Sequence, residues 1–182
     1  MHFLIKIIFN RPAFDRHSFY YYLAMISIRY MLSKTAEYAL RATIYIAQKG
    51  TEDNKLGIDE VAEGIDSPKS FTAKILQLLT QNDRVVSSVR GRNGGFYLTD
   101  RARKLPVRAI LEAVEEEEVI TKCVLGLKEC SETRPCPMHL QYKAIKKQLK
   151  QLFEKTSIQQ LVEESNKGNL FINNQKAPKK RS

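Results

Sequence analysis

Three cysteines and one histidine lie close together in one short segment of this 182-residue sequence. They are Cys123, Cys130, Cys136 and His139, and the chain contains no other cysteine. A glycine and two prolines interrupt the segment, so we expect most of it to form a loop. Thiolates gathered on a loop are suited to binding zinc or an iron–sulfur cluster.

The spacing of these residues bears on which metal they would hold. Six residues separate Cys123 from Cys130 and five separate Cys130 from Cys136, whereas Cys136 and His139 are closely spaced. Structural zinc sites usually pair cysteines about two to four residues apart, so the wider spacing favours ligands around a larger cofactor with several irons. Zinc, a thiol–disulfide sensor and three unrelated cysteines in a reducing cytoplasm stay open as alternatives.

A second group of chemically suited residues is an arginine- and glycine-rich segment. Arg90, Arg92 and Asn93 lie in the run R-G-R-N-G-G, which holds three of the eight glycines of the chain. The flanking residues 85–89 and 96–98 are β-prone, and the Asn-Gly pair favours a tight turn, so the pattern predicts a hairpin. Arginines at a glycine-rich tip can enter a DNA minor groove or hold phosphates, whereas the plainer alternative is a solvated hairpin.

Helical periodicity precedes this hairpin. Ser33 is expected to cap a first helix that Gly50 ends. A short second helix is expected over 58–63, ended by Gly64. The inward positions of the first helix are expected to be Ala36, Leu40, Ile44 and Ala47.

A third helix is expected to start with Ser67 as its cap and Pro68 at its first position. Its apolar stripe would comprise Phe71, Ile75, Leu78 and Leu79. Two short helices joined by a tight turn form the helix-turn-helix layout, in which the second helix enters the major groove. We therefore predict that 67–77 reads the major groove, while Arg90, Arg92 and Asn93 hold the adjacent backbone or minor groove. The predicted contacts on this helix are Ser67, Lys69, Ser70, Thr72, Ala73, Lys74 and Gln77.

Helices are also expected on both sides of the cysteine segment. Residues 106–114 predict a connecting helix, with Val107, Ile110, Leu111 and Val114 inward. Residues 140–155 carry a coiled-coil-like seam of Tyr142, Ile145, Leu149 and Leu152. This seam could pack on its own domain or on a second copy. We favour a homodimer, because it would place two reading heads on a two-fold, pseudo-palindromic DNA operator.

The charge of the chain points to a polyanion as partner. Thirty Lys and Arg against twenty Asp and Glu give a formal net charge of +10, so double-stranded DNA is a reasonable partner. No apolar run is long enough for a membrane span, and three cysteines do not suit a secreted disulfide framework. We therefore expect a cytoplasmic protein with no membrane partner.

These patterns divide the chain into five parts and predict a mostly α fold with a small β-hairpin wing. They are an N-terminal extension (1–30) that is non-native or disordered, a winged helix-turn-helix DNA-binding domain (31–105), a connecting helix with the cysteine loop (106–139), a dimerisation helix with a closing short helix (140–166), and a disordered basic tail (167–182). An enzyme is not expected, and neither is a small-molecule substrate. His2 and His17 lie in the extension and His139 in the cysteine loop, which leaves no histidine for a nucleophile–base pair, and no P-loop or dinucleotide fingerprint occurs.

The chain from Met31 to about Val162 resembles the Rrf-type winged-helix transcriptional regulators, especially the branch of the iron–sulfur cluster regulator IscR and the nitric-oxide sensor NsrR. The resemblance lies in SKTAEYAL at 33–40, in SVRGRNGGFYL at 88–98, and in the three cysteines with His139. The segment TSIQQLV at 156–162 is similar to the closing short helix of the family.

The resemblance implies a dimeric repressor or activator whose DNA affinity is set by a 2Fe–2S cluster that senses iron–sulfur status, nitric oxide or redox. It implies Cys123, Cys130 and Cys136 as cluster ligands and His139 as the fourth; a regulator that uses zinc or thiol oxidation at the same cysteines is the alternative. Two features depart from the family pattern. The first cysteine gap is six residues where the family usually has about five, and 71–74 lacks the glutamate that IscR-like members carry in this helix.

Overall fold

The computed structural model describes residues 32–81, 85–166 and 172, so the predictions for 1–30 and for most of 167–182 lie outside the described residues. The described part is mostly helical with one two-stranded sheet. None of its helices is long and apolar enough to cross a membrane. In chain order the elements are α1 (Lys34–Lys49), α2 (Ile58–Gly64), α3 (Lys69–Thr80), β1 (Ser87–Val89), β2 (Gly95–Tyr97), α4 (Asp100–Arg103), α5 (Arg108–Ala113), a 3-10 turn (Glu117–Ile120), α6 (His139–Lys155) and α7 (Ile158–Asn166).

Helix α1 is the centre of the core and packs against α2, α3, α5, α7 and β2. The predicted cap is confirmed, because the Oγ of Ser33 accepts a hydrogen bond from the N–H of Ala36 at 3.1 Å. The predicted inward positions are only partly right, since Leu40 and Ile44 are half-buried. Neighbours on several sides need close approach, so the buried side chains are mostly small: Ala36, Ala39, Ala42, Thr43, Ile46 and Ala47.

The turn between α2 and α3 differs from its prediction by one residue. Pro68, rather than Ser67, occupies the cap position of α3, and its carbonyl accepts hydrogen bonds from the first turn of the helix. The N–H of Ser67 instead donates to the carbonyl of Ala62 at 2.9 Å, which closes the turn. Asp66 adopts a φ of 52° there, so the chain reverses before α3 begins.

The predicted hairpin exists, but its turn is not the tight Asn-Gly turn. β1 and β2 pair antiparallel, with Val89 opposite Gly95, and the loop between them spans 90–94. Positive φ values occur at Gly91 (108°) and Gly95 (155°) rather than at the Asn-Gly pair. Gly94 is required for space, because a Cβ there would lie 2.2 Å from the carbonyl oxygen of Val89. An isolated bridge between residues 56 and 96, which the sequence did not indicate, extends this sheet.

The C-terminal helices return to the rest of the fold. The predicted inward residues of the connecting helix are buried: Val107, Ile110, Leu111 and Val114. On α6, Phe153 is buried and Leu149 packs against the core. Helix α7 docks on α1, where the side-chain amide of Gln48 donates to the Oγ of Ser165 at 2.5 Å. The described elements from α1 to α7 thus share one core.

Candidate functional site

The outer face of α3 presents a stripe of small, polar and basic side chains. Its exposed residues among those predicted as contacts are Lys69, Ser70, Ala73, Lys74 and Gln77. Their spacing of three and four residues places them along one side of the helix. The opposite side is buried through Ile75, Leu76 and Leu79. This slim outer face suits insertion into the major groove of DNA.

Two predicted contacts on this helix are corrected by the structure. Thr72 is fully buried at 0% exposure, and its hydroxyl donates to the carbonyl of Pro68 at 3.1 Å. It lies three, four and seven positions before the buried residues 75, 76 and 79, so helical periodicity places it on the core side. The Oγ of Ser67 is covered and has no hydrogen-bond partner within the described residues. Neither hydroxyl can therefore read a base from this position.

The basic side chains of α3 and of the hairpin differ in how they are paired. Lys69 forms an ion pair with Asp59 of α2, with its Nζ 2.7 Å from the Oδ1 atom. Within the described part of the chain, Lys74, Arg90 and Arg92 have no ion-pair partner and are exposed. Three positive charges are therefore free to meet phosphates.

The hairpin carries its predicted residues at an open tip. Arg90, Arg92 and Asn93 are all exposed there. At the base of the hairpin, the Nζ of Lys55 lies 5.7 Å from the ring centroid of Tyr97. We did not predict Lys55, because its place beside the hairpin depends on the bridge between residues 56 and 96.

The cysteine segment brings its four predicted ligands together as two pairs. The Sγ of Cys130 lies 3.5 Å from the Nδ1 of His139. Cys123 is close enough to the Cys136 side chain for that contact to affect its pKa. All three cysteines are free thiols. In residues 32–81 and 85–166, no three His, Cys, Asp or Glu side chains lie close enough together to hold one metal ion.

The environment of Cys123 favours its thiolate, although the residue is buried. The backbone N–H of Leu125 is the largest influence that lowers the pKa of Cys123 below its ordinary value. The backbone N–H of Leu127, the Cys136 side chain and the positive charge of Lys146 act in the same direction, while burial opposes them. Because the thiolate is the form of cysteine that binds metals, this environment suits a ligand.

His139, the first residue of α6, is buried at 4% exposure. Its Nε2 has no hydrogen-bond partner in the described residues and lies 3.8 Å from a carboxylate oxygen of Glu132. Lys143 pairs with Glu132 at 2.5 Å, and this contact is the main reason that the pKa of Glu132 lies below its ordinary value. We did not predict Glu132, Lys143 or Lys146. The helical spacing of 139, 143 and 146 is the signal that could have placed these side chains of α6 on one face.

Helix α6 leaves much of its predicted seam exposed. Ile145 and Leu152 are each 58% exposed, and Leu140 near the start of the helix is 82% exposed. Leu149, by contrast, packs against the core, and Tyr142 is half-buried. An exposed apolar stripe flanked by lysines is typical of a helix that pairs with another helix.

The chain is similar to known transcriptional regulators. A sequence profile described as "Rrf2: Iron-dependent Transcriptional regulator" matches residues 32–164. A helix-turn-helix-type transcriptional regulator of Aquifex aeolicus is 31% identical over 134 residues, which cover 72% of this chain and 91% of that protein. The transcriptional repressor NsrR of Streptomyces coelicolor is 33% identical over 107 residues, or 59% of this chain and 67% of that protein.

Two solved structures show the same fold. CymR, the global cysteine regulator of B. subtilis, has a TM-score of 0.60 at 20% identity and covers 73% of this chain and 96% of its own. IscR of T. potens has a TM-score of 0.58 at 16% identity and covers 79% of this chain and 94% of its own. These likenesses confirm the predicted fold class, a mostly helical winged helix-turn-helix.

Proposed function

The chain belongs to the Rrf2 family of iron-dependent transcriptional regulators, and from that premise we propose that a 2Fe–2S cluster sets its affinity for DNA. As a member of this family it is a DNA-binding regulator rather than an enzyme. The ligands in this proposal are Cys123, Cys130, Cys136 and His139.

The arrangement of these ligands in two pairs carries the proposal. Each iron of a 2Fe–2S cluster takes two protein ligands, so an arrangement in two pairs suits it. The Nε2 of buried His139 has no hydrogen-bond partner in the described residues, and the surroundings of Cys123 favour its thiolate, so both side chains offer donor atoms in the form that a metal requires.

The cluster, when bound, supplies a redox-active centre that oxidation, nitric oxide or iron scarcity can damage. The chain supplies the connection to the DNA-binding elements. His139 begins α6, so ligation ties the cysteine segment to this helix. On the other side of the segment, the hydroxyl of Ser33 at the start of α1 donates to Glu116 at 2.7 Å. Rearrangement of the segment can therefore bias both α6 and α1, which is a two-state hypothesis.

We propose that DNA is read by α3 and held by the hairpin. Insertion of α3 into the major groove would bring its exposed residues to the base edges, while Arg90, Arg92 and Asn93 reach the adjacent backbone or minor groove. The supporting observations are the slim exposed face of α3 and the hairpin arginines, which have no ion-pair partner among the residues that the structure describes. The contacts proposed on α3 are Lys69, Ser70, Ala73, Lys74 and Gln77.

We further propose a homodimer that pairs through α6. The exposed Ile145 and Leu152 lie seven positions apart and so face the same way along the helix. Replacing both by Asp should give a monomer in sedimentation velocity, whereas replacing the exposed Lys147, on the opposite side of α6, by Asp should leave the dimer intact. Dimers of unchanged stability in the double variant would remove α6 from the interface.

The experiment for the main proposal compares DNA binding with and without the cluster. A duplex selected from a random pool is titrated anaerobically with the reconstituted chain and with the iron-free chain. We expect affinities that differ by at least about fivefold, a typical lower bound for coupled sites. Cys130→Ser should abolish the difference, and Glu129→Gln, an exposed neighbour in the same segment, should keep it. Equal affinities for both forms of the wild type would contradict the proposal.

A further inference from the structure

An exposed ion pair links the two helices of the helix-turn-helix. The Nζ of Lys69, at the first residue of α3, lies 2.7 Å and 2.9 Å from the two carboxylate oxygens of Asp59 in α2. The side chains of Lys69 and Asp59 are 61% and 74% exposed, so this ion pair contributes little to the stability of the fold.

The location of the pair matters for DNA binding. In a helix-turn-helix, the first helix lies across the sugar–phosphate backbone and the second enters the groove with its N-terminal residues. Asp59 therefore places a carboxylate where phosphates pass, and Lys69 is the lysine nearest the start of the reading helix. A lysine bound to a carboxylate neutralises a phosphate less well than a free one, because the carboxylate competes for the same ammonium group.

We propose that Asp59 is a specificity-determining residue of this regulator. By holding Lys69, it withholds one positive charge from the DNA backbone and adds repulsion towards phosphates. Sequence-independent affinity is thereby lowered, and the share of binding that comes from base contacts further along α3 rises. This inference rests on the proposed placement of α3 in the major groove.

The rest of the surface supplies a contrast and a control. Lys74, Arg90 and Arg92 have no ion-pair partner in the described part of the chain. Lys69 differs from them, because a carboxylate holds its ammonium group. Glu63 is also exposed on α2 and has no ion-pair partner there. Glu63→Gln removes the same charge from the same helix without releasing a lysine, which makes it the matched control for Asp59→Asn.

The experiment measures binding of the full chain to a random-sequence duplex and to a duplex selected by the wild type, across a range of KCl concentrations. Asp59→Asn should bind the random duplex roughly three- to eightfold more tightly near 0.1 M salt, with a log–log salt slope steeper by about 0.9, the increment for one neutralised phosphate. Its gain on the selected duplex should be smaller, so the specificity ratio falls. Glu63→Gln should show much smaller changes.

A double-mutant cycle separates this inference from simple loss of charge. In the Lys69→Gln background, Asp59→Asn should have no more effect than Glu63→Gln. Three results would overturn the inference. Asp59→Asn could change the affinity for the random duplex no more than Glu63→Gln does, it could weaken that binding, or it could strengthen it equally when Lys69 is absent. Failure of the proposed placement of α3 would look different, since Lys74→Ala and Gln77→Ala on its exposed face would then leave the affinity of the wild type for the selected duplex unchanged.

Discussion

Removal of the hairpin arginines should change the salt dependence of DNA binding by a calculable amount. Arg90 and Arg92 are exposed, lack ion-pair partners within the described residues, and flank Gly91, whose φ is 108°. No carboxylate of residues 32–81 and 85–166 pairs with their guanidinium groups, so each is available to neutralise one phosphate. We therefore predict that Arg90→Ala and Arg92→Ala weaken binding without changing the fold.

The magnitude follows from counterion release. One phosphate contact contributes about 0.9 to the slope of log affinity against log salt concentration. Each single variant should thus lower the slope by about 0.9 and the double variant by about 1.8. When the salt concentration rises from 50 mM to 200 mM, the loss of affinity of the wild type should exceed that of a single-arginine variant by a factor of roughly 3.5.

Fluorescence anisotropy of a labelled duplex at four or five KCl concentrations measures both slope and affinity. Lys147→Ala is the control, because it removes an exposed positive charge from α6, away from the hairpin. Its slope should stay close to that of the wild type. Unchanged slopes in both arginine variants, or an equal change in the control, would refute the role of the hairpin.

Three further predictions concern the elements that position this surface. Gly94→Ala should reduce DNA affinity at least about tenfold, because the added Cβ would lie 2.2 Å from the backbone of the hairpin and would displace its tip. Gly57→Ala, whose added Cβ meets only an ordinary contact, should leave the affinity unchanged. Thr72→Val should leave DNA affinity within about twofold of the wild type, because this buried side chain faces the core. A loss of affinity as large as that caused by replacing an exposed residue of α3 would contradict the buried placement of Thr72. Glu154→Gln should lower the melting temperature by roughly 2 °C, because Glu154 of α6 pairs with Arg108 of α5 at 2.6 Å. Salt screens such a pair, so a difference in melting temperature between variant and wild type that persists in 1 M NaCl would rule out this ionic cause.

Features with a local physical cause could be predicted from the sequence. A serine followed by a helical run predicted the cap of α1, and its hydroxyl makes that hydrogen bond. The period of apolar residues at 107, 110, 111 and 114 predicted the buried side of the connecting helix, and these residues are buried. Clustered cysteines predicted a loop, and residues 121–138 contain no regular helix or strand.

Features that depend on tertiary contacts could not be predicted in the same way. Ser67 does not cap α3, because Pro68 has an extended ψ of 134° and its carbonyl accepts the first hydrogen bonds of the helix. The role of each hairpin glycine depends on the course of the backbone. A side chain at Gly94 would clash with the backbone, whereas Gly91 and Gly95 adopt positive φ. Likewise, spacing alone did not indicate that the four ligands form two pairs, because that grouping depends on where α6 begins.

The most direct test of the central proposal is the iron and acid-labile sulfide content of the full chain after anaerobic reconstitution, read together with its visible absorption. We predict about two irons and two sulfides per chain in the wild type. Cys123→Ser, Cys130→Ser and Cys136→Ser should lose them, while Glu129→Gln retains them. A colourless wild-type protein without iron would contradict the account, and bound zinc in that protein would indicate a zinc-holding regulator with the same DNA-binding fold.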